Sequence, residues 1–243
     1  PIHAAASSGS MEMVKLLVEA GADPARETWE REDGPNGGYV TPVYPAVEFG
    51  LDEVELLQYL VDEGADVNCA DEDGLTPLHY AAEKDPEAVQ VLIENGAEIN
   101  STDGIGITPL HRAAASGVED AARQLIESGA HIDQTDKDGM TPLHLAAYDG
   151  QETVAEILIE AGADIDPIAS TVDPITSAGN TGISPLHRAA DMGHPGVAEV
   201  LLEAGADPSL ENGSGDTPLD VVREESGGFG NHKDTEEVIR SFQ

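Results

Sequence analysis

A single cysteine, Cys69, leaves this chain with no means of forming an intrachain disulfide, so packing and hydrogen bonding must hold it together. Lysine is almost as scarce: Lys15, Lys84, Lys137 and Lys233 are the complete set. Aromatic residues make up only 4% of the sequence, and Trp29 is the sole tryptophan. This argues against a large β-sandwich core and favours small helices packed closely together. No run of about 18 apolar residues occurs, so no membrane-spanning helix is expected. The chain also lacks a G-x-S-x-G elbow, a phosphate-binding loop and a paired-cysteine motif, and no catalytic residue is assigned.

What the sequence has in abundance is acid. Forty-eight Asp and Glu face 11 Lys and Arg, giving a formal net charge of -37 and a pI near 4.1. Such a surface repels phosphate backbones and anionic headgroups, so nucleic acid and membranes are poor partners. It also repels itself, except in molar salt, where the Debye length falls to about 3 Å. An acidic, lysine-poor folded chain therefore suggests a halophilic source whose salt supplies loosely held, non-specific cations. A cytoplasmic location is the working expectation. The opening Pro1-Ile2-His3 lacks a Met and reads as the continuation of something further upstream.

Self-similarity organises the rest. Thr-Pro-Leu-His recurs at Thr76–His79, Thr108–His111 and Thr141–His144, with variants at Pro1–His3, Thr41–Tyr44, Ser184–His187 and Thr217–Asp220. Gly-Ala recurs at Gly21, Gly64, Gly96, Gly129, Gly162 and Gly205. Thr or Ser before Pro is an N-cap followed by the residue best suited to the first helical position. The Leu-His-x-Ala-Ala that follows makes a short helix, ended by a Gly such as Gly117 or Gly150. A second helix then shows an apolar face at i, i+3, i+4, as in Val14, Leu17 and Val18 or Ala155, Leu158 and Ile159. Gly-Ala-Asp closes it, and Asp-x-Asp-Gly, as at Asp71–Gly74 and Asp136–Gly139, turns the chain toward the next Thr-Pro.

This pattern resembles the ankyrin repeat over nearly the whole chain. The resemblance implies a mostly α solenoid of helix-turn-helix units with β-hairpin fingers. It further implies a concave face, made by fingers and first helices, that binds proteins, so the expected function is a protein-interaction scaffold. The repeats read as one domain over residues 1–243, with units starting near 1, 41, 76, 108, 141, 184 and 217, the last a C-terminal cap. An alternative is a regulatory or substrate-targeting arm of a larger enzyme whose other domain lies upstream.

The departures from the pattern mark what is individual. Gly-Ala to the next Thr-Pro or Ser-Pro spans 12 residues in four units, but 20 after Gly21 and 22 after Gly162. Finger insertions are thus expected at about 24–40 and 166–183. The first holds Trp29 with Arg26 and Arg31, residue types enriched among interface anchors, the alternative being that Trp29 folds back and packs its own loop. The second carries a small duplication, Asp166–Ser170 followed by Asp173–Ser177. Asp234, with Glu237 three later, reads as the N-cap of the last helix.

Five histidines (His3, His79, His111, His144 and His187) share one repeat position. In the family this His hydrogen-bonds the finger backbone, so it is read as structural, and no metal or cofactor is assigned. Asp136-Lys137-Asp138-Gly139 resembles the start of a calcium loop but lacks the later bidentate Glu. The residue before each Thr or Ser is one the family leaves variable and exposed. Here it is Val40, Leu75, Ile107, Met140 and Ile183, changing to Asp216 in the cap. These five make an apolar stripe expected to receive a partner, widened by Phe49, Lys84, Tyr148 and Met192 on the first helices. The alternative is that the stripe is covered by the enlarged fingers or packs between neighbouring hairpins.

Overall fold

A computed structural model describes residues 1–25, 28–30, 38–49, 54–169, 181–224 and 230–243. Short helices follow one another as antiparallel pairs. These are α1 (Ile2–Ser7) with α2 (Met11–Glu19), α3 (Val43–Phe49) with α4 (Val54–Asp62), and α5 (Pro77–Ala82) with α6 (Pro86–Glu94). Next come α7 (Pro109–Ser116) with α8 (Glu119–Glu127) and α9 (Pro142–Asp149) with α10 (Glu152–Glu160). The last are α11 (Pro185–Met192) with α12 (Pro195–Glu203) and α13 (Pro218–Glu224) with α14 (His232–Ser241). Two strands, β1 (Thr28–Glu30) and β2 (Gly38–Val40), pair antiparallel within the first insertion, with Trp29 opposite Tyr39. In the second insertion Ala169 and Ile183 form an isolated antiparallel bridge. Among the described residues the other fingers are tight turns rather than strands.

Each first helix starts for a local reason. Thr76, Thr108, Thr141 and Ser184 are extended N-caps, and each is followed by Pro at the first helical position. Helices of six to nine residues are too short to persist alone in water, so tertiary packing must stabilise them. The packing repeats with the sequence. Leu78, Leu110, Leu143 and Leu186 of the first helices are fully buried, as are Leu60, Leu92, Leu125, Leu158 and Leu201 of the second. Paired alanines (Ala113 with Ala114, Ala146 with Ala147, Ala189 with Ala190) are completely buried and let neighbouring first helices approach closely. Gly150 ends α9 in the left-handed conformation at φ 73°, where any Cβ would lie 2.7 Å from the His194 ring.

The last helix departs from expectation. It begins at His232 with Asn231 as N-cap, three residues before Asp234. The docking of its start onto the preceding pair explains the shift. Asn231 N–H donates to the Gly193 carbonyl at 2.9 Å, and His232 Nε2 donates to the Asp191 carbonyl at 2.9 Å. Asp234 instead accepts a hydrogen bond from the Asn231 side chain.

Candidate functional site

Four of the fingers are each built on one acidic or amide side chain. Asp71 Oδ1 accepts the backbone N–H groups of Asp73 and Leu75 at 3.0 and 2.9 Å. Asp103 Oδ1 does the same for Ile105 and Ile107, both at 2.9 Å, and Asp136 Oδ1 for Asp138 and Met140, both at 2.8 Å. In the last finger Asn212 Oδ1 takes this role for Ser214 and Asp216, at 2.9 and 3.0 Å. The calcium-like run at Asp136 is therefore turn chemistry whose leading carboxylate oxygen already holds two amides. Among the described residues no group of three or more His, Cys, Asp or Glu is placed to hold a metal ion.

The repeated histidine locks each finger to the unit before it. His79 Nδ1 accepts the N–H of Thr76 at 3.1 Å, which leaves the proton on Nε2 to donate to the Ile107 carbonyl at 3.0 Å. His111, His144 and His187 repeat the arrangement toward the carbonyls of Met140, Ile183 and Asp216, at 3.1, 2.9 and 3.1 Å. Burial holds all four rings in the neutral form, pushing His79 and His144 down to about 4 and His111 and His187 below the ordinary value. With both nitrogens engaged and protonation disfavoured, these rings serve the framework.

That geometry corrects the expected apolar stripe. Leu75, Ile107, Met140 and Ile183 are not exposed: they retain 7, 8, 7 and 6% of their surface. For Ile107 and Met140 the physical reason is visible in the backbone, which is held at both ends. Its N–H goes to the finger Asp and its carbonyl to the preceding histidine, so the side chain turns inward between turns. Leu75 merges with the main core. Trp29, Val40 and Phe49 lie on β1, β2 and α3, but their side chains, together with Arg26 and Arg31, fall outside the described residues.

What the finger side does present is mixed. Ile105 and Ile168 stand exposed in the fingers at 58 and 49%. The turn carrying Ile105 is tied to its neighbours, Gly104 N–H donating to Asp73 O at 2.6 Å and Lys137 N–H to Ile105 O at 2.9 Å. Glu72, Asp73, Lys137 and Asp138 are exposed around it. On the first-helix side Lys84 is exposed, while Tyr148 and Met192 are half-buried.

The residue after the signature histidine faces the fingers, and sequence reasoning passed over it. Tyr80 donates its hydroxyl to Asp71 at 2.7 Å, and Arg112 bridges Glu83 and Asp103. The Arg188 guanidinium lies 5.7 Å from the centre of the Tyr148 ring and 3.9 Å from Met140 Sδ. The available signal was arginine recurring at one repeat position in a chain so poor in cations.

Comparison with known proteins agrees with this architecture. A family model described as ankyrin repeats in three copies matches residues 2–103 and 102–169, and a single ankyrin-repeat model matches residues 181–213. The chain is similar to an ankyrin repeat-containing protein of Schizosaccharomyces pombe, 36% identical over 83 residues, or 34% of this chain and 35% of that one. It is also similar to transient receptor potential cation channel subfamily A member 1 of Drosophila melanogaster, 33% identical over 84 residues, 35% of this chain and 7% of the channel. The matched segment thus spans about a third of one relative and less than a tenth of the other. With family matches across most of its length and the helix-pair stacking that such repeats form, the chain belongs to the ankyrin-repeat family.

Proposed function

We propose that this chain is a scaffold that binds another protein through its finger tips and the adjoining ends of its first helices. Ankyrin repeats generally mediate protein–protein interaction, and the family is typically non-enzymatic. The observation that carries the reading is the exposed finger surface: Ile105 stands out from a turn tied to Asp73 and Lys137, Ile168 is exposed in a second finger, and Glu72, Asp73, Asp138 and Lys84 are exposed as well. Large apolar side chains held outward on rigid turns are suited to anchoring a partner. Trp29, Arg26 and Arg31 form a second proposed contact, on residue type alone. No catalysis is assigned. The acidic surface supports a salt-rich setting and disfavours nucleic acid. No described helix is long and apolar enough to cross a membrane.

A second reading, that the array serves as the targeting arm of a larger protein, draws on the channel relative, where the similar segment is 7% of the whole.

Affinity capture with the full chain at the source's working salt tests the surface. Ile105→Asp combined with Lys84→Glu is expected to abolish capture while changing the melting temperature by no more than about 2 °C, because both sites are exposed. Leu75→Asp, Ile107→Asp and Met140→Asp together are the packing control and are expected to unfold the chain. Full capture by the Ile105 and Lys84 variant would refute the assigned surface.

A further inference from the structure

In four successive units the turn after the second helix carries one side chain that reaches the next such turn. Four residues beyond Gly64, Gly96, Gly129 and Gly162 stand Asn68, Asn100, Asp133 and Asp166. Asn68 Oδ1 accepts the Glu98 N–H at 2.8 Å, while its Nδ2 donates to the Gly96 carbonyl at 3.1 Å. Asn100 repeats both bonds, with His131 N–H at 2.8 Å and Gly129 O at 3.1 Å. Each amide thus joins two units through an acceptor and a donor together.

The aspartates keep the acceptor and lack the donor. Asp133 Oδ1 accepts the Asp164 N–H at 3.0 Å, and Asp166 Oδ2 accepts the Asp207 N–H at 3.0 Å. Asp133 is exposed, which leaves its second oxygen open to water. Asp166 differs: its Oδ1 is shielded from solvent and has no hydrogen-bond partner among the described residues. The repeat register puts that oxygen where Asn68 and Asn100 hold Nδ2, toward the Gly205 carbonyl. No described group donates to that carbonyl either. Two acceptor oxygens facing each other away from water lack only a hydrogen between them.

We infer that Asp166 is a proton-operated latch between the α9–α10 and α11–α12 units, in which a protonated Oδ1 donates to Gly205 O and restores the second bond of the asparagine joints. The proton comes from solvent, and the carboxylate becomes a neutral carboxyl whose Oδ2 still accepts the Asp207 amide. The surroundings favour that proton. Burial raises the carboxyl above its ordinary value, the negative charges of Asp207 and Asp164 add to this, and the Asp207 amide opposes them. On the preceding turn Asp133 is occupied with the Asp164 amide, and no Lys or Arg among the described residues pairs with Asp166. The latch is fully closed below the ordinary value of 3.8 and opens as pH rises through the raised folded value.

Amide exchange across the joint tests this, because acid also loosens the array through its buried histidines and a melting curve would merge the two effects. Asp166→Asn, which carries the donor permanently, is expected to raise protection of the Asp207 N–H about three- to tenfold at pH 7. The gain should shrink to less than about twofold as pH is lowered toward 4, where the parent's own carboxyl closes the bond. Asp166→Ala should protect the Asp207 N–H less than the parent does at every pH. Asp133→Asn, at the exposed joint, should change protection of the Asp164 N–H by less than about twofold. No gain from Asp166→Asn at pH 7, or a gain that stays constant with pH, would overturn the inference. Equal gains at Asp164 and Asp207 would overturn it too, by showing that the burial of Oδ1 does not matter. So would an Asp166 carboxyl resonance that titrates at or below 3.8 in the folded chain, followed by carbon NMR.

Discussion

At the residue scale the decisive group is a neutral histidine with both nitrogens engaged. His79 and His144 titrate near 4 when folded, against an ordinary 6.5. In the unfolded chain they take up protons near the ordinary value. Between about pH 6.5 and 4 the unfolded state therefore holds more protons, and acid favours it. The stabilisation is fully present above pH 6.5 and is lost as pH falls through the folded value. Each of these two rings then contributes a loss on the order of 3 kcal/mol. Denaturant midpoints at constant salt should fall from pH 7.5 to pH 5, a range in which most carboxylates stay ionised. Replacing His144 by Ala, which strands the buried Thr141 N–H and takes from the Ile183 carbonyl one of its two donors, is expected to cost about 1–3 kcal/mol and flatten part of that slope.

At the scale of elements, the finger turn depends on one oxygen in the right place. Asp136 and Asn212 perform the same task with different chemistry: each offers a single Oδ1 to two backbone amides. Asp136→Ala should lower stability by about 1–2 kcal/mol, because the Met140 amide loses its acceptor. Asp136→Asn should lie within about 0.5 kcal/mol of the parent, and urea unfolding of the two variants side by side distinguishes them.

The helices and their caps were legible in the sequence because Thr-Pro and Gly act locally, within one turn of Thr76, Thr108 or Gly150. The inward turn of Ile107, Met140 and Ile183 was not. Their carbonyls are held by another unit, by His79, His111 and His144 in turn, which a local reading does not contain. The start of α14 escaped for the same reason, being fixed by Gly193 and Asp191 of the preceding pair. Arg112 and Arg188 were overlooked because the residue after the histidine looks variable until the finger is folded over it.

At the scale of the whole molecule, like charge opposes the stacking that the apolar faces drive. The outward sides of the second helices carry exposed acids such as Glu87, Glu94, Glu119, Glu156 and Glu199. With a net charge of -37, raising salt from about 0.1 to about 3 M should screen this repulsion and strengthen apolar burial. Scanning calorimetry is expected to give a melting temperature higher by on the order of 10 °C in the concentrated salt. Equal temperatures would remove the support for a halophilic origin.

The bond from His144 to the Ile183 carbonyl spans 39 positions of sequence, whereas those from His79 and His111 span 28 and 29, yet all three are 2.9–3.1 Å long. The second insertion is also fastened at its base, Ala169 N–H donating to Ile183 O at 3.0 Å and Gly182 N–H to Ala169 O at 2.9 Å. Its base is thus cinched like the neck of a bag, and the neck has the same bore whatever the bag contains. Closing a longer loop costs little, about 0.6 kcal/mol for each doubling of its length. Foreign sequence spliced in between Ala169 and Gly182 is accordingly expected to leave the melting temperature of the array nearly unchanged.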